Sequence, residues 1–320
     1  MFLRLLTRLS AGLAVILGIV VLTFVLLHIA PGDPARQLAG PAASAQQIAA
    51  LNQQLGLDRP LHEQFVIWIS RAVRGDWGVS LTTGRPVGEM LRRAWPWTAL
   101  LVASSLLLSY AIGIGVALWQ AVSRRRLDTG LSIVSVALAA MPAYWLGIIL
   151  VWVFTYELNA LPAFGAAGLD ADFLSPGARL ADHVRHLLLP VTTLTLIGVG
   201  GAARFARGAL MDTRHALFLL AARARGLPAW RVLVRHLLLN ALGPVVTLLG
   251  LSLPALFSGA VFVEGIFAWP GVGRVLIDAV AGRDYPVVMA AATVSAILVV
   301  IGNLLADLLH AAVDPRLRHV

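Results

Sequence analysis

Apolar and polar positions in this chain separate on two scales. On the coarse scale, long apolar runs alternate with short charged connections. A helix needs about 20 predominantly apolar residues to cross about 30 Å of hydrocarbon. Six windows free of Asp, Glu and Arg meet or approach that length: 9–32, 94–123, 129–156, 186–203, 236–263 and 285–306. The fourth is the shortest, and its helix is expected to run past Arg204 toward Leu210. The sixth ends close to Asp307. Arg4 and Arg8 precede the first run as they would in a signal peptide. That run is longer than the about 7–15 apolar residues of a cleaved leader, so an uncleaved first span is expected.

The fine scale fills in the connections. Residues 31–93 form a polar segment in which "SAQQIAALNQQLGL" and "LHEQFVIWISRAVRGDWG" have helical spacing. In the second, Leu61, Phe65, Trp68, Ile69 and Ala72 fall on one face. Both read as short amphipathic helices on the membrane surface or the outer rim of a bundle. "LTTGRPVGEM" reads as a turn leading into the second span, and "SRRRLD" as a short connection. "NALPAFGAAGLDADFLSPGARLADHVRH" is rich in Gly, Pro and Asp and reads as loop. "EGIFAWPGVGRVLIDAVAGRDYP" is too apolar for a solvated loop and predicts a partly re-entrant turn followed by a short interfacial helix. Pro142, Pro190, Pro244 and Pro254 each remove a hydrogen bond within a span and can kink it. The run "GVGGAA" at 198–203 lets a neighbouring helix approach closely, a packing role in preference to a substrate contact.

The arginines orient these spans. With the N-terminus in the cytoplasm, 14 of the 25 arginines lie inside and 11 outside. Seven of the outer ones belong to the first external segment, which is too long to inform topology, leaving 14 against 4. Both termini are therefore expected in the cytoplasm. The net charge of +9 is then a topology signal and not the footprint of a nucleic-acid surface.

Composition narrows the chemistry. Charged residues make up 13% of the chain, against about 25% in soluble domains. The absence of cysteine excludes disulfides and thiolate chemistry. The absence of lysine excludes a G-x-x-x-x-G-K-[ST] phosphate loop and a Schiff-base lysine, so any ATP must bind another chain.

Candidate catalytic or metal residues carry little. "HEQFV" at 62–66 has Val66 where a second zinc histidine must stand. Ser258-Gly259 lacks the preceding glycine of an intramembrane serine protease and a histidine to pair with it. His28, His62, His183 and His186 match no metal-ligand spacing. Asp307 and Glu264 lie near span ends, where ionisable groups do not read as a relay through the bilayer.

The basic segment 204–235 is more specific. A helix is expected over about 213–225, ending at Gly226 with Pro228 beyond it. Leu220, Ala221 and Ala222, then three residues, then Gly226, resemble the E-A-A-x-x-x-G loop of membrane subunits of ATP-binding-cassette (ABC) importers. The family's glutamate position is Leu220 here. "APGDPA", "LGLDRPL", "GDWGVS", "GRPV", "MPAYWLG", "ARARGLPAWRVLVRHLLLNAL", "VEGIFAWPGVGR", "RDYPVV" and "DLLHAAVDPRLR" extend the resemblance along nearly the whole chain, to the dipeptide/oligopeptide/nickel permease family.

That resemblance implies an all-α polytopic membrane protein with six transmembrane helices, a type I (MetI-like) importer permease. Residues 1–95 would hold the first span and the external amphipathic segment. Residues 96–320 would hold a permease core with five spans and the coupling loop 204–235. Leu220, Ala221, Ala222, Arg223, Arg225 and Gly226 would form the ATPase-coupling element. The implied partners are a second homologous permease subunit, two ABC ATPase subunits that carry the ATP, an external solute-binding protein and membrane lipid. The chain itself would bind no cofactor and have no catalytic or metal site. It would lie in the bacterial inner membrane. Import of di- or oligopeptides is the leading function, nickel or a nickel chelate the alternative within the family, and an ATP-independent channel or carrier the alternative outside it.

Overall fold

The computed structural model describes residues 2–29, 34–40 and 42–313, and every regular element among them is helical apart from one isolated bridge between Val79 and Pro86. "APGDPA" falls largely outside the described residues, as do Arg316 and Arg318; of the side chains of Ser258, Pro244, Pro254 and Asp307 nothing is described.

The chain divides into two compact units. One comprises Phe2–Thr98 and Pro270–Leu298. It contains α1 (Phe2–Ile29), α2 (Pro34–Ala39), α3 (Ala45–Leu55), α4 (Leu61–Val73), α12 (Val272–Ala281) and the first turns of α5 (Val87–Val122) and α13 (Tyr285–Val313). Ser44 caps α3: its hydroxyl accepts from the Gln47 amide while the Gln47 side chain accepts from the Ser44 amide. This reciprocal box satisfies two orphan donors and explains why the helix starts there. Gly56, at φ +67°, ends it.

On α4, Phe65, Trp68, Ile69 and Ala72 are half-buried as the spacing predicts, but Leu61 is 54% exposed. It is the first residue of the helix, at the edge of the face. Phe65 and Trp68 pack against Val20, Phe24 and Met289, with the Phe24 and Phe65 rings edge-to-face at 5.1 Å. A second core joins Val87, Leu91 and Ala94 of α5 to Val272 and Ala279 of α12 and to Val287, Val288, Ala290 and Ala291 of α13. The expected turn before the second span is present at 81–84, but helix begins at Val87, so "VGEM" belongs to α5. The short helix foreseen after "AWPG" is α12, and the Val272 amide, one of its orphan donors, finds the Thr98 hydroxyl at 2.9 Å.

The other unit runs over Ala99–Trp269 and from Val299 onward. After α5 come α6 (Arg125–Ala140), α7 (Ala143–Val151), a π-helical turn (Trp152–Glu157), α8 (Pro176–Thr213), α9 (Leu217–Ala224), the single turn α10 (Ala229–Arg231), a second π-helical segment (Val232–Leu238) and α11 (Leu239–Ile266). α8 packs against α6, α7 and α11 and buries residues from His186 to Leu210.

Two expectations change here. The third apolar window is not one straight helix: α6 and the helix that follows it meet at 100°. The break falls at Met141 and Pro142, and Pro142 caps the second arm, so the proline ends one helix and starts another. Pro190, by contrast, sits inside α8 without breaking it. The polar stretch read as loop up to residue 186 becomes helix ten residues earlier. Ser175 is extended and Pro176 occupies the first turn, the position that tolerates a missing amide.

Four helices among the described residues are long and apolar enough to cross a membrane, and the bent pair makes a fifth candidate. α11, the fifth window of the sequence, is itself 28 residues long, about 42 Å at the helical rise.

Candidate functional site: a short exposed helix and the helices behind it

The basic segment does not fold as the helix expected over 213–225. α8 continues to Thr213, the chain turns through Arg214–Ala216, and α9 starts at Leu217. The physical reason is burial. Leu219 is 2% exposed and Ala222 is fully buried, one turn apart on the same face. The turn at 214–216 redirects the chain, and in the helix that follows these two side chains are covered.

The opposite face is apolar and open. Leu217 is 81% exposed and Leu220 is 56% exposed, with Phe218, Ala221 and Ala224 also exposed. Trp230 on α10 is exposed as well, with the Arg231 guanidinium 5.5 Å from its ring centre. Aliphatic side chains in the open do not hold a helix in place; Leu219 and Ala222 do so from the other side.

α9 ends as its residues dictate. The Arg225 amide donates to Ala221 O at 3.2 Å, the Gly226 amide to Arg223 O at 2.9 Å and the Leu227 amide to Ala222 O at 3.4 Å. Gly226 takes φ +75°, a left-handed conformation that favours glycine. Arg223 in the last turn and the Arg225 side chain, bonded to Ala221 O at 3.3 Å, place cations at the negative end of the helix dipole. Of the residues singled out in the sequence, Leu220, Ala221, Arg223, Arg225 and Gly226 are exposed, and Ala222 is the buried anchor. Sequence reasoning missed Leu219 as the second anchor and Leu217 as the most exposed apolar residue of α9. The i, i+3 spacing of Leu219 and Ala222 was the available signal.

Earlier in the same unit, α5, α6 and α8 converge on one polar node. Arg207 of α8 grips Asp128 of α6 in bidentate fashion, Nε to Oδ1 at 2.7 Å and Nη2 to Oδ2 at 2.6 Å. The Gln120 amide of α5 donates to Asp128 and to the Ser132 hydroxyl. "SRRRLD" is thus more than a charged connection, because its aspartate ties α8 to α6.

Farther along α8 the glycines of "GVGGAA" allow backbone-range contact. A side chain at Gly198 would strike the Ser109 side chain, and one at Gly200 would strike Ser135 O and the Ala139 backbone. Gly113 of α5 lies equally close to Ala202. The packing role read from the sequence therefore holds for Gly198 and Gly200. Gly201, with nothing within 4 Å of a side chain built there, lines a cavity of about 500 Å³ that Gly198 also borders. That cavity also contains Tyr110 and Ser252, hydrogen-bonded at 2.8 Å.

The other candidates disperse. His28 contacts Phe24 O and Gln64, His183 contacts Ala166 O, and His186 contacts Asp182. His62 is exposed on α4. Among the described residues no group of three His, Cys, Asp or Glu side chains could hold a metal. Glu264 is fully buried at the end of α11, where its carbonyl accepts from the Trp269 amide.

Long apolar helices, glycine-mediated helix contacts and an anchored amphipathic helix between two of the long helices define a polytopic helical membrane protein with a short exposed helix. Comparison with known proteins specifies the class. Residues 109–319 match the family of binding-protein-dependent transport system inner membrane components, and residues 1–101 match the N-terminal part of such components. The chain belongs to this family and is a multipass inner membrane component of such a transport system.

Similar proteins include an oligopeptide transport system permease of Bacillus subtilis, 36% identical over 98% of both chains. A probable D,D-dipeptide transport system permease of Escherichia coli is 39% identical over 95% of this chain and 94% of its own. A glutathione transport system permease of Salmonella paratyphi A is 37% identical over 98% of both. The fold is also that of the inward-facing MetNI methionine ABC transporter, with a TM-score of 0.59 at 18% identity over 72% of this chain and 98% of the solved one.

Proposed function

We propose that this chain is one of two homologous permease subunits of an ATP-driven importer of di- and oligopeptides. Two ABC ATPase subunits supply the ATP sites and an external solute-binding protein delivers the peptide. The chain crosses the membrane six times with both termini in the cytoplasm. The bent pair α6–α7 and the long α11 are two of the crossings, and the arginine distribution supports the orientation. The peptide class is supported by the names of the relatives that align end to end with this chain.

The observation that carries the coupling role is the two-faced α9. Leu219 and Ala222 hold it to the permease, and Leu217, Leu220 and Ala221 face outward for an ATPase cleft. Leu220 replaces an acid with an aliphatic side chain, so it offers the partner packing in place of a charge contact. Arg223 and Arg225 flank this face and Gly226 sets its end. ATP binding that draws the ATPase subunits together would pull α9, and with it α8. This drives transport because the ATPase dimer binds the two permease states with different free energies.

The test is reconstitution of the four membrane-associated subunits in vesicles, with labelled peptide presented on the binding protein. ATP-dependent uptake is expected. A Leu217→Arg, Leu220→Arg variant should stay in the membrane and lose both the ATPase subunits on purification and uptake. Uptake by the permeases alone would point to a carrier, and normal ATPase retention by the variant would remove the coupling role from α9.

A further inference from the structure

The unit formed by Phe2–Thr98 and Pro270–Leu298 contains a cavity of about 600 Å³ that the transport reading does not use. Its walls differ in character. Phe24 and Leu27 of α1 and Met289 of α13 make an apolar side, with Phe24 and Met289 buried in the core of the unit. Both helices are long apolar spans by length and composition. Phe24 is five residues from the end of α1 and Met289 four from the start of α13. At about 1.5 Å per residue this is about 6–8 Å from each helix end. In a bilayer whose headgroups meet these helix ends, the apolar side of the cavity lies at the edge of the hydrocarbon.

Trp68, Trp77 and Tyr285 also line the cavity, with the two indoles edge-to-face at 6.2 Å. Rings with an apolar body and a polar tip concentrate at this level of a membrane. Arg59 and Arg71 are the cationic lining residues; both are exposed, and neither has an ion-pair partner among the described residues. Asp76 is the acid in the lining, and its Oδ1 already accepts from the Gly78 amide at 3.0 Å.

The site is also built to hold its shape. The Gln64 amide donates to Leu57 O and Arg59 O, and its Oε1 faces His28 Nε2 at 3.2 Å. One side chain thus fixes the loop that carries Arg59 to the end of α1.

We infer that this cavity binds the phosphodiester headgroup of a membrane phospholipid. Arg59 and Arg71 take the phosphate, and Phe24, Leu27 and Met289 take the upper acyl chain. Guanidinium groups suit this ligand because their forked donors match phosphate oxygens. The volume falls within the about 300–1,000 Å³ of small-molecule sites, enough for a headgroup and the first part of its chains. Continuity of the apolar wall with two spans selects a lipid over a soluble phosphate ester, which would have no use for it.

The experiment is native mass spectrometry of the full chain in its detergent-extracted assembly with added phosphatidylglycerol. An Arg59→Gln, Arg71→Gln variant should retain about tenfold less lipid than the unaltered protein. Both side chains are exposed, so the core is untouched. Arg92→Gln, an exposed arginine outside the cavity, should retain lipid normally. Soluble glycerol phosphate should not displace the bound lipid. Equal retention by the double variant, equal loss in Arg92→Gln, or displacement by glycerol phosphate at matched concentration would each overturn the assignment.

Discussion

Ser80 donates a 2.6 Å hydrogen bond to the carboxylate of Asp284, 204 positions later in the chain. The Leu81 amide, the Thr82 amide and the Thr82 hydroxyl complete a set of four donors around the same group. Ser80 and Asp284 are both buried. A carboxylate has about four acceptor sites, so this one is satisfied by the loop without any cation. The pairing gives "GDWGVS" and "RDYPVV" a shared structural purpose.

Asp284→Ala should therefore be severe. It would leave a buried hydroxyl and amide donors without an acceptor, at a cost of about 3 kcal/mol or more. Asp284→Asn keeps one acceptor oxygen and should cost roughly half as much. Thermal melting in detergent reads both. An alanine variant that melts with the unaltered protein would show that water replaces the carboxylate without penalty.

Adjacent glycines should respond in opposite ways. Gly200→Ala drives a methyl into Ser135 O and the Ala139 backbone, neither of which can rotate away. A loss of about 1–3 kcal/mol is expected, as for other overpacked sites. Gly201→Ala meets nothing within 4 Å and gains helix propensity, so it should be neutral or slightly stabilising. Comparing melting temperatures and membrane yield of the two variants decides the matter, and equal behaviour would contradict the geometry.

Asp128 and Arg207 should be energetically coupled. Each is partly exposed, which moderates the value of the pair, but the bidentate geometry and Gln120 hold it in register. A double-mutant cycle of Asp128→Asn and Arg207→Gln should show coupling of about 1 kcal/mol. Additive losses would mean that the two residues act separately.

Gly226 should tolerate asparagine and reject valine. Open space surrounds the position, so the restriction is the backbone at φ +75° and not the room for a side chain. A β-branched residue there costs roughly 1–2 kcal/mol or more, whereas asparagine accepts the left-handed region. Gly226→Val should lower uptake several-fold at an unchanged membrane level, and Gly226→Asn should retain most of it. Immunoblotting beside transport assays checks this, with equal uptake by the two variants as the refuting result.

What the sequence made legible follows from which interactions are periodic. α1, α5, α11 and α13 were recoverable because lipid demands uninterrupted apolar runs of fixed length. α3 was recoverable from its spacing, and the structure adds the Ser44–Gln47 box that starts it. The start of α8 at Pro176 was not, because its first turns carry Arg179, Asp182 and Arg185 and so look like a polar loop. The π-helical segments at Trp152–Glu157 and Val232–Leu238 depend on one added residue per turn, which no apolar period records. At the candidate site, the end at Gly226 was readable from residue type. The turn at Arg214–Ala216 was not, since it depends on where Leu219 and Ala222 find cover.

The glycine contacts of α8 have a mechanical side. Side chains between helices ordinarily behave as springs, because rotamers absorb small displacements. Gly113 against Ala202 and Ala203, and Gly200 against the Ser135 and Ala139 backbone, remove those springs on two flanks of α8. Three residues after α8 ends, α9 begins. In the coupling proposed above, a displacement delivered there would meet no rotamer slack at Gly113 and Gly200, and α5, α6 and α8 would move as one stiff lever.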